Sequence, residues 1–267
     1  MTVNYIVVWV VNLVVRSPFY PHWLIDLKTN EGNGKALIGI HGSVVEVGAG
    51  DGSRKRTVCS SYPAVTKYIA TDLNDWNGEF NKLDRLVGKN AARSVVMGYK
   101  KRIKPDVICD AMDLPFRRSS FDYHLGFEVL EHIADPLKYM REAIRVLKPG
   151  GRIIVSVPYM YRMHGQEPEH RLDYFRYSLG FFHLICSKYK LKFERIVWNT
   201  GMGTSVASMI NQWLVRKIME SPRSKKWIFL LSATVCFPLT NCIGYIIDLN
   251  PDIRFATRLH VVLRKPM

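Results

Sequence analysis

A chain of 267 residues with 48% hydrophobic and 23% charged residues, 18 Gly and 13 Pro is long enough for a substantial core and has a globular composition, which excludes a disordered, collagen-like or coiled-coil chain. Its 38 Lys and Arg against 23 Asp and Glu give a net charge of +15 and a pI near 9.7, pointing to an anionic partner, nucleic acid or an acidic membrane surface, without choosing between them. The 5 cysteines, Cys59, Cys109, Cys186, Cys236 and Cys242, form no C-x-x-C pair, so neither a disulfide framework nor a metal site is expected and a reduced, cytosolic setting fits.

The apolar run at residues 6–15 resembles the core of a secretion signal. No basic residue precedes it, however, and Arg16, Pro18, Phe19 and Tyr20 follow where cleavage needs small residues, so it is expected to remain as a helix or strand. From residue 43 to 158, short β-branched runs alternate with longer helical or loop stretches, the pattern of an α/β domain with a largely parallel sheet. Strands are expected at 44–47, 68–71, 106–109, 121–127 and 152–157, and two more at 191–197 and 258–263. A surface helix is expected at 135–147, where Leu137, Met140, Ile144 and Leu147 recur at helical spacing before Lys148, Pro149, Gly150 and Gly151 turn the chain. Between the last two strands lies an insert in which residues 227–247 carry no charged side chain. The expected organisation is an apolar helical segment at 1–40, an α/β domain at 41–200 with 257–267, and a helical apolar insert at 201–256.

Residues 44–53 read VVEVGAGDGS, a buried strand followed by Gly48, Gly50 and Gly52 at alternate positions. A chain that turns sharply beneath a ligand needs residues without a Cβ there. Taken alone, the segment also suits an ordinary strand-to-helix turn or a dinucleotide site, although Ser53 stands where the third glycine of the dinucleotide fingerprint belongs. Next, YIATDL places Asp72 at a strand end, where two carboxylate oxygens suit the two hydroxyls of a ribose; a helix N-cap is the plainer alternative. CDAMDLPF then places Asp110 at another strand end, within reach of an exocyclic adenine amine.

In this order, VEVGAGDG, ATDL, CDAMDLPF, SSFDYHLGFEVLEHI and REAIRVLKPGGRIIVSVP resemble a class I S-adenosylmethionine-dependent methyltransferase of the type 11 methyltransferase domain group, over roughly residues 43–158. The resemblance implies a Rossmann-like α/β fold: a seven-stranded, mostly parallel sheet with an antiparallel last strand and helices on both faces. It implies S-adenosyl-L-methionine as cofactor, with Glu46, Gly48 and Gly50 on the methionine side, Asp72 and Leu73 at the ribose, Asp110 and Ala111 at the adenine, and Phe127 near the sulfonium. The stretch 74–104, with Lys100, Lys101, Arg102 and Lys104, is longer than is usual between the ribose and adenine motifs.

Methyl transfer from a sulfonium is an in-line displacement, so the protein has to align the reactants and remove a proton when the nucleophile is a hydroxyl. The run PYMYRMHGQEPEHRLDYFRYS after the fifth strand is dense in polar and aromatic groups and is expected to hold the acceptor. Its D-Y-F-R-Y segment, with a histidine upstream, also resembles methyltransferases of surface polysaccharide and lipid-linked glycan synthesis. His164 or His170 is the candidate general base, Asp173 its orienter or an alternative base, and Arg176 a clamp for an anionic acceptor; a hydrogen-bond network closing a lid is the alternative. Glu131 and His132 are expected to be structural or cofactor-side, and the basic runs at 54–56 and 188–192 to be solvated faces.

The expected activity is methyl transfer to a small or lipid/glycan-linked acceptor, through an oxygen nucleophile, by a cytoplasmic protein peripheral at a membrane surface. An RNA methyltransferase is the alternative, less favoured for want of an RNA-binding module or an N-P-P-Y or N-P-P-F tetrad; a silent cofactor-binding scaffold is opposed by the intact Glu46, Asp72 and Asp110. Residues 227–247 have the length of a membrane span, but the resemblance places the last strand between its two neighbours in one sheet, which a single crossing would separate. With Pro238, Thr240 and Asn241 interrupting the run, two short interfacial helices are expected, flanked by Arg216, Lys217, Arg223, Lys225 and Lys226; a lid over the acceptor is the other reading.

Overall fold

The computed structural model describes residues 13–50, 52–73, 104–164 and 173–267; most of the 6–15 run, nearly all of the 74–104 stretch, and His170 lie outside them. The elements in chain order are α1 (Trp23–Ala36), β1 (Gly42–Val47), α2 (Ser53–Ser61), β2 (Val65–Asp72), β3 (Val107–Ile108), β4 (Phe121–Phe127), α3 (Pro136–Val146), β5 (Leu147–Pro158), α4 (Leu179–Tyr189), β6 (Lys192–Val197), α5 (Met202–Glu220), α6 (Arg223–Ile247) and β7 (Arg258–Arg264). The strands form one seven-stranded sheet in the order β3-β2-β1-β4-β5-β7-β6. β1 runs parallel to β2 and β4, β2 to β3, and β4 to β5, whereas β7 is antiparallel to β6. The chain thus reverses its direction of travel across the sheet between β1 and β4, which opens a crevice at the C-terminal ends of these strands.

Local chemistry explains the elements. β1 is central and covered on both faces, as its fully buried Val44, Val45 and Val47 require. α3 starts where Asp135 accepts the Lys138 N–H at 2.9 Å ahead of Pro136, and it buries Tyr139, Met140, Ala143 and Val146. β5 begins at Leu147 rather than at 152. Gly150, at φ 74, and Gly151 do turn the chain, but within the ladder, where the Lys265 N–H donates to Gly151 O at 2.8 Å.

Contacts group the chain into two compact units. One holds Gly34–Pro158, Met163–Val197 and Leu259–Met267, which is most of the sheet with α2 to α4. Around Val44, Val58, Tyr68, Tyr123, Leu125 and Ile154 it builds a continuous core. The other holds the described residues up to Asn33 together with Tyr159–Arg162 and Trp198–Arg258, a grouping that joins the first and third of the three segments expected above.

The second unit is organised by the antiparallel hairpin of α5 and α6. Gly203 and Gly244 meet where a Cβ on Gly203 would collide with the Gly244 carbonyl. Further along, the Asn211 amide donates to Asn241 Oδ1 at 3.1 Å, and the Asn241 amide donates to the Pro18 and Tyr20 carbonyls at 2.7 and 2.9 Å. Buried Asp248, just past α6, accepts the N–H groups of Gly201, Gly203 and Thr204 at 2.8, 2.9 and 2.8 Å and so caps α5.

The expectation of two short helices is corrected: α6 is one helix running through Pro238. The missing N–H of Pro238 leaves the Thr234 carbonyl, four residues back, without its helical partner, yet the helix continues. Just beyond it the Thr240 hydroxyl lies 2.7 Å from the Cys236 carbonyl and 2.6 Å from Asn211 Oδ1, which ties this turn of α6 to α5.

Candidate active site

The turn from β1 into α2 holds Gly48, Gly50 and Gly52 at φ 63, 56 and 69, a left-handed succession that side chains disfavour. A Cβ on Gly48 would strike the Val129 side chain, whereas one on Gly50 would meet nothing, so the space above Gly50 is open to a ligand. The Gly50 N–H donates to Asp72 Oδ2 and the Leu73 N–H to Asp72 Oδ1, both at 2.8 Å. The carboxylate is thereby locked to the turn, with a lone pair on each oxygen still able to accept a hydroxyl.

On the neighbouring strand the Cys109 N–H bonds Asp72 O at 2.9 Å, and Asp110 follows with Oδ1 accepting the Met112 N–H at 2.7 Å. Ala111 is buried and Leu73 exposed, while Phe127 ends β4 beside β1. Gly48, Gly50, Asp72, Leu73, Asp110, Ala111 and Phe127 therefore gather at the C-terminal edge of four adjacent strands, an arrangement that fits an adenosine with a ribose diol.

Glu46 is fully buried in β1, and its two oxygens accept from Arg54 Nη1 at 2.6 Å and from the Tyr68 hydroxyl at 2.8 Å. Burial, with the Glu46 charge second, pushes the Tyr68 phenol far above its usual range. The Arg54 guanidinium also lies 4.1 Å from the centroid of the Phe127 ring. Arg54 is therefore not on a solvated face as expected but reaches back into the site from the first turn of α2. Its position just past the glycine turn, on the helix that faces β1, is the signal that composition alone hid.

A second cluster forms beyond β4, where Glu128 adopts φ 56 and a single 3-10 turn carries Leu130–His132. Fully buried Glu131 presents Oε1 to His132 Nε2 at 3.7 Å and to His164 Nε2 at 3.6 Å. Burial pushes the Glu131 carboxyl up, opposed in part by His164. The loop segment is latched onto this turn, since the Tyr174 N–H donates to Glu131 O at 2.9 Å and the Tyr177 hydroxyl to Leu130 O at 3.2 Å.

Asp173 accepts the His164 N–H at 2.7 Å and both terminal nitrogens of Arg176, at 2.5 and 2.8 Å. Burial raises the Asp173 pKa, but Arg176 and the His164 N–H outweigh it and hold the carboxyl below the usual range. Asp173 is thus an anchored anion beside His164, whose Nδ1 lies 3.6 Å from Asp173 Oδ2. Arg176, the expected clamp for an acceptor, is engaged with this carboxylate. Glu131 and His132 were expected to be structural or cofactor-side, and the structure brings them together with His164.

Fold and glycine turn define a class I methyltransferase architecture. Residues 45–155 match a family model described as a methyltransferase domain, and residues 106–229 match a second model of the same description. This chain carries a class I S-adenosylmethionine-dependent methyltransferase domain. Tocopherol O-methyltransferase of Arabidopsis thaliana is 33% identical over 112 residues, which is 42% of this chain and 29% of that protein. The matches cover only 20% to 35% of the length of the first curated relatives.

Among solved structures, the cyclase SpnF gives a TM-score of 0.53 at 15% identity over 91% of this chain and 82% of its own. Geranyl diphosphate C-methyltransferase from Streptomyces coelicolor A3(2) gives 0.51 at 15% identity, over 92% and 82%. These likenesses concern the fold, and the presence of a cyclase among them illustrates that fold does not fix reaction.

Proposed function

We propose that the chain transfers the methyl group of S-adenosylmethionine to an oxygen nucleophile on a small or lipid- or glycan-linked acceptor met at a membrane surface. The bound cofactor supplies a methyl group already activated on a sulfonium. The protein's share is placement: Gly48 and Gly50 let backbone approach the methionine end, Asp72 accepts from the ribose diol, Asp110 faces the adenine, and Phe127 walls the sulfonium region. Glu46 is held by Arg54 and Tyr68, so its contribution at the methionine end goes through Arg54. On the acceptor side, Asp173 orients His164, whose imidazole is the group placed to receive the acceptor's proton.

The observation that carries the membrane part of this reading is the exposed apolar face of the α5–α6 hairpin. Met209, Trp213, Trp227, Leu231, Val235 and Leu239 are exposed, although the two helices already pack on each other through an apolar cluster of Leu214, Ala233 and Phe237 and through the buried Asn211–Asn241 pair. An exposed apolar face beyond the hairpin's own core suits an apolar surrounding. The test is incubation with methyl-labelled cofactor and separate membrane-lipid, soluble and RNA fractions of cells. Label is expected in the lipid fraction, in an alkali-stable ether or an ester; label confined to small soluble products removes the membrane part of the reading, and label confined to RNA overturns the acceptor assignment.

A further inference from the structure

We propose that Glu131, His132 and His164 form a binding site for one divalent transition-metal ion, of the zinc, manganese, iron or cobalt type. Their ligand atoms all lie within 4.8 Å of one another. The separations from Glu131 Oε1 to the two imidazole Nε2 atoms, 3.7 and 3.6 Å, are too long for hydrogen bonds. They suit a shared ion, because two ligands held at about 2.1 Å and subtending about 115° lie roughly 3.5 Å apart.

An independent observation comes from the carboxylate itself. Glu131 is fully buried, and neither of its side-chain oxygens has a hydrogen-bond partner among the described residues. A buried acceptor of this kind, aimed between two imidazoles, calls for a positively charged occupant.

The surroundings are those of a ligand set. His164 is held from the far side of its ring, where its backbone N–H donates to Asp173 Oδ2 at 2.7 Å and Arg176 Nη2 lies 3.4 Å from Nδ1, so that Nε2 is the nitrogen turned to Glu131. The two histidine rings meet edge to face, with centroids 5.1 Å apart. Two imidazoles and one carboxylate favour borderline metals over magnesium or calcium, and three protein ligands leave coordination positions for an oxygen ligand from outside. The side chains of His132 and His164 are 30% and 24% exposed, so those positions are reachable. The inference does not depend on the acceptor reading, since its readout is bound metal. It does compete with proton transfer by His164, because both roles use Nε2.

The experiment uses the full chain, free of any tag and dialysed against a chelator, titrated with Co2+ while its visible absorption is recorded and then competed with Zn2+. The expected result is one ion per chain, with affinity falling by at least about tenfold in Glu131→Gln and in His164→Ala. Protection of His132 and His164 from acylation by bound Zn2+ in the wild type, read by mass spectrometry, serves if a variant fails to fold. Wild-type protein that takes up no stoichiometric ion, or that leaves both histidines equally reactive with and without Zn2+, overturns the proposal. That outcome would leave the general-base role of His164 standing.

Discussion

Asp72 ties the glycine turn to β2 and faces the expected ribose with both oxygens, so its loss should be felt at the cofactor. If the proposed ribose bonds are made, Asp72→Ala removes two charge-assisted bonds worth roughly 1.5 to 3 kcal/mol each, and affinity for S-adenosylmethionine should fall by at least about tenfold. Calorimetry checks this, and equal affinities would show that Asp72 serves the turn alone. Another single residue sets a pH limit on the fold. His124 in β4 is wholly buried against the edge of Tyr139, and burial lowers its pKa from 6.5 to about 4. Between these values the unfolded chain binds a proton that the folded chain refuses, so the stabilisation present above pH 6.5 declines as pH falls towards 4. The full loss is roughly 3 kcal/mol, of which about 2 kcal/mol is reached at pH 5. Urea denaturation of the wild type and His124→Phe at pH 7 and pH 5 should show this extra loss in the wild type alone; parallel losses would mean that other groups govern acid sensitivity.

At the scale of elements, the N-terminus of α5 depends on a residue far along the chain. Asp248 receives three backbone N–H groups there, and the residue at the N-cap position, Gly201, offers no side chain. Asp248→Ala should destabilise the protein by about 2 kcal/mol or more, and amide exchange should quicken at Gly203, Thr204 and Ser205 while β1 and β4 keep their protection. Unchanged exchange at α5 would contradict this account of the cap. No pattern near Gly201 announces such a cap, because the partner is distant in sequence. The strands were legible for the opposite reason: Val44, Val45 and Val47 or Ile153, Ile154 and Val155 declare burial by themselves, and glycine and aspartate at their ends declare the crevice. Arg54 was hidden, since a basic residue in a basic run gives no sign that it turns back onto a buried carboxylate. Pro238 misled because its rule is local, whereas α6 is held along its length by packing on α5, including the Thr240–Asn211 and Asn211–Asn241 bonds. Glu131 and His132 were visible as residues, but their meeting with His164 needs the loop to return over the β4 turn.

For the molecule as a whole, the net charge of +15 and the outward apolar face of the hairpin act in the same direction. α6 has 25 residues, about 37 Å of helix, and its 224–247 stretch is long and apolar enough to cross a membrane, with 22% of its most apolar window buried. Crossing is opposed by topology: β6 and β7, the strands that bracket the hairpin, are neighbours in one sheet. Insertion tip-first is opposed by Arg216, Lys217, Lys225 and Lys226, which cluster at the turn between the helices. The proposed attachment therefore has the hairpin lying along the interface, with its apolar face among acyl chains and its basic turn among headgroups, each cation contributing about 1 kcal/mol near an anionic surface. The wild type should therefore sediment with anionic vesicles and bind neutral ones more weakly, with salt removing part of the difference. A variant carrying Trp213→Ser, Trp227→Ser and Leu231→Ser changes only exposed positions, so it should remain folded and cofactor-binding yet stay in the supernatant. Equal sedimentation of variant and wild type would reduce attachment to charge alone, and wild-type protein that stays soluble at low salt would assign the apolar face to a protein partner or a lid.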